Sequence, residues 1–121
     1  MVRALFDTNI ILDHIKGIAD APIELARYED RAISIVTVIE VLVGVTPVSE
    51  ARERAFLRLF TVVALDDAIA EEAAILRRTH RMKLPDAVVW ASARREGRLL
   101  VTRNTKDFPA GDPGVRHPYV V

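Results

Sequence analysis

Residues 2–16 read VRALF, then Asp7-Thr8-Asn9, then IILDHIK. The first five residues are mostly apolar and suit a buried strand. Asp, Thr and Asn break the run, and these residue types favour the N-cap of a helix. Residues 9–16 therefore read as a short helix that stops near Gly17. A strand that hands directly to a helix through an acidic turn is half of a strand–helix–strand unit.

The same alternation recurs along the chain. Asp20-Ala-Pro22 predicts a helix to about Asp30, with proline in the first turn. AISIV at 32–36 predicts a second strand, and TVIEVLVG at 37–44 a helix capped by Thr37 and ended by Gly44. Ala51, Ala55, Phe56, Leu59 and Phe60 have helical spacing and predict an inward face for residues 49–60. TVVAL at 61–65 predicts a third strand. Asp66 or Asp67 then caps a helix to about Arg81, with Ile69, Ala73 and Leu76 inward. Pro85-Asp86 opens another helix, whose AVVWASA segment is apolar nearly all round and so should be buried, and Gly97 ends it. RLLV at 98–101 predicts a fourth strand, and Tyr119–Val121 an edge strand. This order implies an α/β fold, a three-layer α/β/α sandwich with a mainly parallel central sheet. Ligands in such folds bind beyond the carboxyl ends of the strands.

Length allows one domain over residues 1–121, because two would leave neither enough interior. Lys+Arg and Asp+Glu are 17 each, so a polycation that holds nucleic acid by bulk charge is excluded. With no cysteine there is no disulfide, thiolate zinc site or cysteine nucleophile. No apolar run is long enough to span a bilayer. An acidic residue interrupts the first apolar run where a signal peptide needs its core. A soluble cytoplasmic protein is expected.

Four acids fall at the expected strand ends or on buried helices beside them. Asp7 follows the first strand, Glu40 is the sole charge within Ile35–Thr46, Asp86 starts the most apolar helix, and Asp107 follows the fourth strand. Each has a plain structural reading: a helix cap, an outward-pointing charge, a favourable helix-dipole position and an Asx turn. As a cluster they are costly, since two carboxylates about 4 Å apart repel by roughly 4 kcal/mol at an effective dielectric near 20. A cation would relieve this, and oxygen donors suit Mg²⁺ or Mn²⁺ rather than zinc. Such ions activate water and stabilise the leaving oxygen of a phosphodiester.

The segments FDTNIILD, TVIEVLVG, LPDAVVWASA and LLVTRNTKDF occur in the order and approximate spacing of PIN-domain proteins. More narrowly the chain resembles the VapC-type toxins of prokaryotic toxin–antitoxin pairs, over nearly its whole length. The resemblance implies a PIN-like parallel sheet between helices and an Mg²⁺- or Mn²⁺-dependent endoribonuclease. Asp7 and Asp86 would be the central metal ligands. Glu40 would bind directly or through water, and Asp107 would complete the site. Thr8, Asn9, Thr102 and Asn104 match positions that orient ligands or water. Asp13 is a weaker candidate, expected at the surface or behind the site. The resemblance further implies a VapB-like antitoxin, a homodimer or a heterotetramer or larger with antitoxin, and structured RNA such as tRNA or rRNA as substrate.

Three basic groups offer phosphate contacts: Arg77, Arg78, His80, Arg81 and Lys83; Arg94, Arg95 and Arg98; and Arg103 with Lys106. Arg103 and Lys106 are the preferred RNA-binding residues because they flank Asp107. The first two groups read equally as solvated helix ends. Phe56 and Phe60, one turn apart, could line a dimer or partner groove, while scattered His14, His80 and His117 lack zinc-ligand spacing. Two other functions compete: a PIN-like interaction module without catalysis, and a phospho-receiver domain, which this chain fits poorly for want of a strand-end lysine. The tail Gly111–Val121 carries no functional signal.

Overall fold

The computed structural model describes residues 1–121 throughout. Eleven elements follow one another as β1 (Ala4–Phe6), α1 (Thr8–Ile15), α2 (Asp20–Leu25), β2 (Arg31–Ser34), α3 (Ile35–Val43), α4 (Glu50–Leu57), β3 (Thr61–Val63), α5 (Asp67–His80), α6 (Leu84–Arg95), β4 (Leu99–Val101) and β5 (Val115–Arg116). The five strands form one sheet in the order β3-β2-β1-β4-β5. Every pairing is parallel, with Leu5 opposite Ala32 on one side and Leu100 on the other.

Alternation along the strands divides the core in two. Leu5, Ala32 and Leu100 face one layer, where Ile69, Ala73 and Leu76 of α5 meet Val88, Val89 and Trp90 of α6. Ala4, Phe6, Ile33 and Val101 face the other, against Ile10 and Ile11 of α1, Val41 of α3, and Leu57 and Phe60. The sheet is thus covered on both faces, as the strand–helix alternation predicts. Residues 87–93 of α6 are all buried, in keeping with their continuous apolar run.

Several details differ from expectation. The helix after β2 starts at Ile35, because the Ser34 hydroxyl accepts the Val36 N–H at 3.1 Å and caps it. Thr37 lies inside that helix, fully buried, instead of capping it. In α4 the inward face is Glu53, Leu57 and then Phe60, while Ala51, Ala55 and Leu59 are exposed. The alanines carry too little apolar area to set the helix rotation, and Leu57 and Phe60 set it. The last strand is Val115–Arg116, not Tyr119–Val121, since Leu100 and Val101 already lie in register with Val115 and Arg116.

The strand order changes direction between β1 and β4. β1 leads on to β2 and β3 on one side, and β4 and β5 add on the other. A crevice opens at the carboxyl ends of strands at such a point. Asp7 follows β1 and Thr102 follows β4, so both stand there.

Candidate metal centre

Asp7 caps α1 with extended backbone, and its Oδ1 accepts the Thr8 N–H at 2.8 Å. Its Oδ2 accepts the Thr102 hydroxyl at 2.8 Å and the Asn9 amide at 3.2 Å. The residue is only 6% exposed. Burial raises its pKa from the ordinary 3.8 to about 6, against the hydrogen bonds from Thr102 and Thr8, and the charges of Asp86 and Glu40 add to the rise.

The structure brings the other three acids to the same end of the sheet. Asp86, in the first turn of α6, has its pKa raised by burial and by the charges of Asp107 and Glu40, with Lys83 opposing. Glu40 projects from α3, and its Oε1 accepts the Thr8 hydroxyl at 2.7 Å. The Thr8 hydroxyl lies 2.9 Å from that of Thr37; its one proton being given to Glu40, it accepts from Thr37. Thr37 therefore supports Glu40 through Thr8, a relay across two helices that no local spacing reveals. Asp107 accepts the Asn104 amide at 2.9 Å, and Asn104 Oδ1 accepts the N–H groups of Lys106 and Asp107 at 3.1 and 3.0 Å. The Asn104 N–H in turn rests on Thr102 Oγ1 at 3.0 Å.

Two properties define this cluster. First, no ion pair reaches it: the chain's salt bridges involve Asp13, Glu24, Asp30, Glu50, Glu53, Glu72 and Glu96, and none of Asp7, Glu40, Asp86 or Asp107. Second, the carboxylates influence one another's charge, yet no three converge closely enough to form a finished ligand set. The donors are all oxygens, which fits a hard divalent cation and no soft one.

The basic residues separate by partner. Arg98 is buried and holds Asp30 Oδ1 at 2.7 Å, and Arg94 pairs with Glu72 at 3.4 Å and lies over the Trp90 ring. Arg77 donates to the Met82 carbonyl at 3.0 Å. Arg103 grips Asp13 through Nε and Nη2 at 2.5 and 2.9 Å. Asp13 is 1% exposed, so of the two placements expected for it the surface one is excluded: it is an interior acid with a dedicated arginine. Arg78, Arg81, Lys83 and Lys106 are exposed and form no ion pair.

A parallel sheet with four acids at one end now meets its relatives. The PIN domain model matches residues 4–111, and the chain belongs to the PIN domain family. A chain of a toxin–antitoxin complex from Klebsiella pneumoniae is 42% identical, with TM-score 0.92 over 98% of this chain and 99% of that one. A chain of FitAcB from Neisseria gonorrhoeae is 25% identical, with TM-score 0.79 over 95% and 97%. One of DNA-bound VapBC from Salmonella typhimurium, 22% identical with TM-score 0.79 over 96% of each chain, shares the fold. No curated protein sequence matches. No helix is long and apolar enough to cross a membrane.

Proposed function

We propose that this chain is a divalent-metal-dependent endoribonuclease and the VapC-like toxin of a toxin–antitoxin pair. One observation carries the reading. Asp7, Asp13, Glu24 and Glu53 are the buried acids, and Asp7 alone lacks an arginine. A buried carboxylate without a cation is expensive, and Asp86 and Glu40 add to its cost. An external cation relieves that cost.

Asp7 and Asp86 would hold the cation, with Glu40 and Asp107 bound directly or through water. Bound Mg²⁺ or Mn²⁺ would activate a water and stabilise the departing oxygen of a phosphodiester. This chain's own residues fix the ligands. Thr102, Asn9 and the Thr8 N–H engage both oxygens of Asp7, which holds its carboxylate plane. Thr8, backed by Thr37, aims Glu40. Asn104 aims Asp107. Exposed Lys106, Arg78, Arg81 and Lys83 are free to meet RNA phosphates, whereas Arg103 and Arg98 are committed to carboxylates.

The antitoxin reading is supported by the Klebsiella pneumoniae complex, whose matched chain is 42% identical. It also fits the surface. A mostly apolar groove between α1, α2 and the end of α4 is lined by Pro22, Leu25, Phe56, Leu59 and Phe60, together with Ala26, His14 and Arg31. Ile39 and Val43, one turn apart on α3, and Val48 are exposed at 57%, 81% and 91%. A VapB-like antitoxin and a second copy of the chain would cover these faces.

The test is cleavage of tRNA and ribosomal RNA by antitoxin-free protein with Mn²⁺ or Mg²⁺, beside EDTA and Asp7→Asn controls. Metal-dependent cutting that disappears in Asp7→Asn is expected. Full cutting by a folded Asp7→Asn protein would overturn the site. No cutting of any RNA by the metal-loaded protein would favour the interaction module.

A further inference from the structure

The loop that presents Asp107 is held from behind by a cluster with no counterpart among the candidate metal ligands. Asp13 of α1 lies at its centre and is 1% exposed. Arg103 binds both of its oxygens, at 2.5 and 2.9 Å. Tyr119, from the tail, donates its hydroxyl to Asp13 Oδ2 at 2.8 Å. These groups move one another's pKa in the directions of a tight pair: against its burial, Asp13 is lowered by Arg103 and Tyr119, and Arg103 is raised by Asp13.

We propose that Asp13, Arg103 and Tyr119 form a clasp that positions the 102–107 loop, and with it Asp107 and the Asn9–Asp7 contact, for metal binding. The inference rests on the metal-site reading above. Arg103 grips α1 twice. Its guanidinium holds Asp13, and its backbone N–H donates to Asn9 Oδ1 at 3.2 Å. Asn9 and Asp13 are one helical turn apart and share a face of α1. The bond to Oδ1 fixes the Asn9 amide so that its NH₂ meets Asp7 Oδ2 and Thr102 Oγ1, each at 3.2 Å. One residue further, the Asn104 side chain carries Asp107. The guanidinium fork is planar and meets the carboxylate in one orientation, so it sets direction as well as distance.

The tail closes the arrangement from outside. β5 adds to β4, and Arg116 holds Glu24 of α2 at 2.7 and 3.1 Å. His117 Nε2 lies 3.3 Å from the Asn104 carbonyl, and Tyr119 reaches Asp13. The tail thus touches the loop and the clasp from an anchored strand. Stability alone does not require this, because a buried ion pair is often replaceable by apolar groups at no loss.

The test is Mn²⁺ affinity by calorimetry on wild type, Asp13→Asn and Tyr119→Phe, with metal-free amide exchange across 103–107. Asp13→Asn should weaken Mn²⁺ on the order of 10- to 100-fold, the usual effect of a group behind a ligand. Tyr119→Phe, which folds with one hydrogen bond fewer, should weaken it by roughly threefold to tenfold. Exchange at the loop amides should quicken in both. Unchanged Mn²⁺ affinity in folded variants, with wild type binding normally, would overturn the clasp and leave the metal site standing. Absence of Mn²⁺ binding by wild type would overturn both.

Discussion

Asp7 caps the start of α1, and Asp13 lies near the end of the same helix. Both residues are buried, at 6% and 1% exposure. Their surroundings differ in one respect. Asp13 has Arg103 and Tyr119 on its oxygens, and its pKa is lowered. Asp7 receives only neutral donors and faces Asp86 and Glu40, and its pKa rises to about 6. Glu24 repeats the pattern of Asp13, with Arg116 and Tyr28 on its oxygens. Interior acids that serve the fold bring their cation from the chain. On the proposed reading, the acid at the crevice takes its cation from solution.

This contrast between the two acids has measurable consequences. The largest effect expected is on cleavage: Asp7→Asn should lower RNA cutting on the order of a thousandfold, since a metal supplies several kcal/mol at the transition state. Single-turnover cleavage of the same RNA by both proteins measures it. Arg103→Met should cost about 3 kcal/mol of folding stability, because it leaves Asp13 buried without its cation. Urea unfolding at neutral pH reads that loss.

Asp7→Asn should change how stability depends on pH. A proton stabilises native Asp7 up to about pH 6, and the unfolded carboxyl releases it near the ordinary value. Metal-free stability from this group is therefore full below about pH 4 and falls as pH rises through 6. A rise of that size corresponds to about 3 kcal/mol at most. Asp7→Asn should remove that decline, as denaturation at a series of pH values would show. For Asp13 and Glu24 the sign is opposite: their stabilisation is present above their ordinary pKa and is lost as pH falls.

The smallest effect separates the two basic residues of the loop. Lys106 is exposed and unpaired, so Lys106→Gln should lower the salt slope of RNA binding by about one phosphate contact. Arg103 is committed to Asp13, so its loss should act on stability and metal affinity instead. Filter binding of RNA to the metal-free protein over a range of salt separates them.

Element order and layer architecture were legible because they depend on local period. The run AVVWASA had to be buried whatever it packed against, and β1 handed to α1 through a capping triad. The four acids stand out only as a set, carried in order by the four motif segments, since each alone has a plain structural reading. What stayed hidden depends on contacts across the chain. Sequence alone leaves Asp13 between the surface and a place behind the site, because Arg103 and Tyr119 reach it only through the fold. Arg103 reads as a phosphate contact from its position beside Asp107, and its pairing with Asp13 shows only in the fold. The spacing of Ala51, Ala55, Phe56, Leu59 and Phe60 places only Phe60 correctly in the core, because Leu57 and Phe60 set the rotation of α4 and the alanines have too little area to fix it. Val115–Arg116 is too short to show a period, and it forms because β4 offers it an edge.

On the reading proposed above, the cluster around Asp7 takes a divalent cation from solution. Thermal unfolding of wild type and Asp7→Asn, with and without millimolar Mn²⁺, probes this most directly. A ligand that binds only the folded state raises the melting temperature as it saturates its site. Mn²⁺ should raise the melting temperature of wild type but not that of Asp7→Asn. A wild-type transition that ignores Mn²⁺, or a variant that responds to it equally, would show that Asp7 does not wait for a metal.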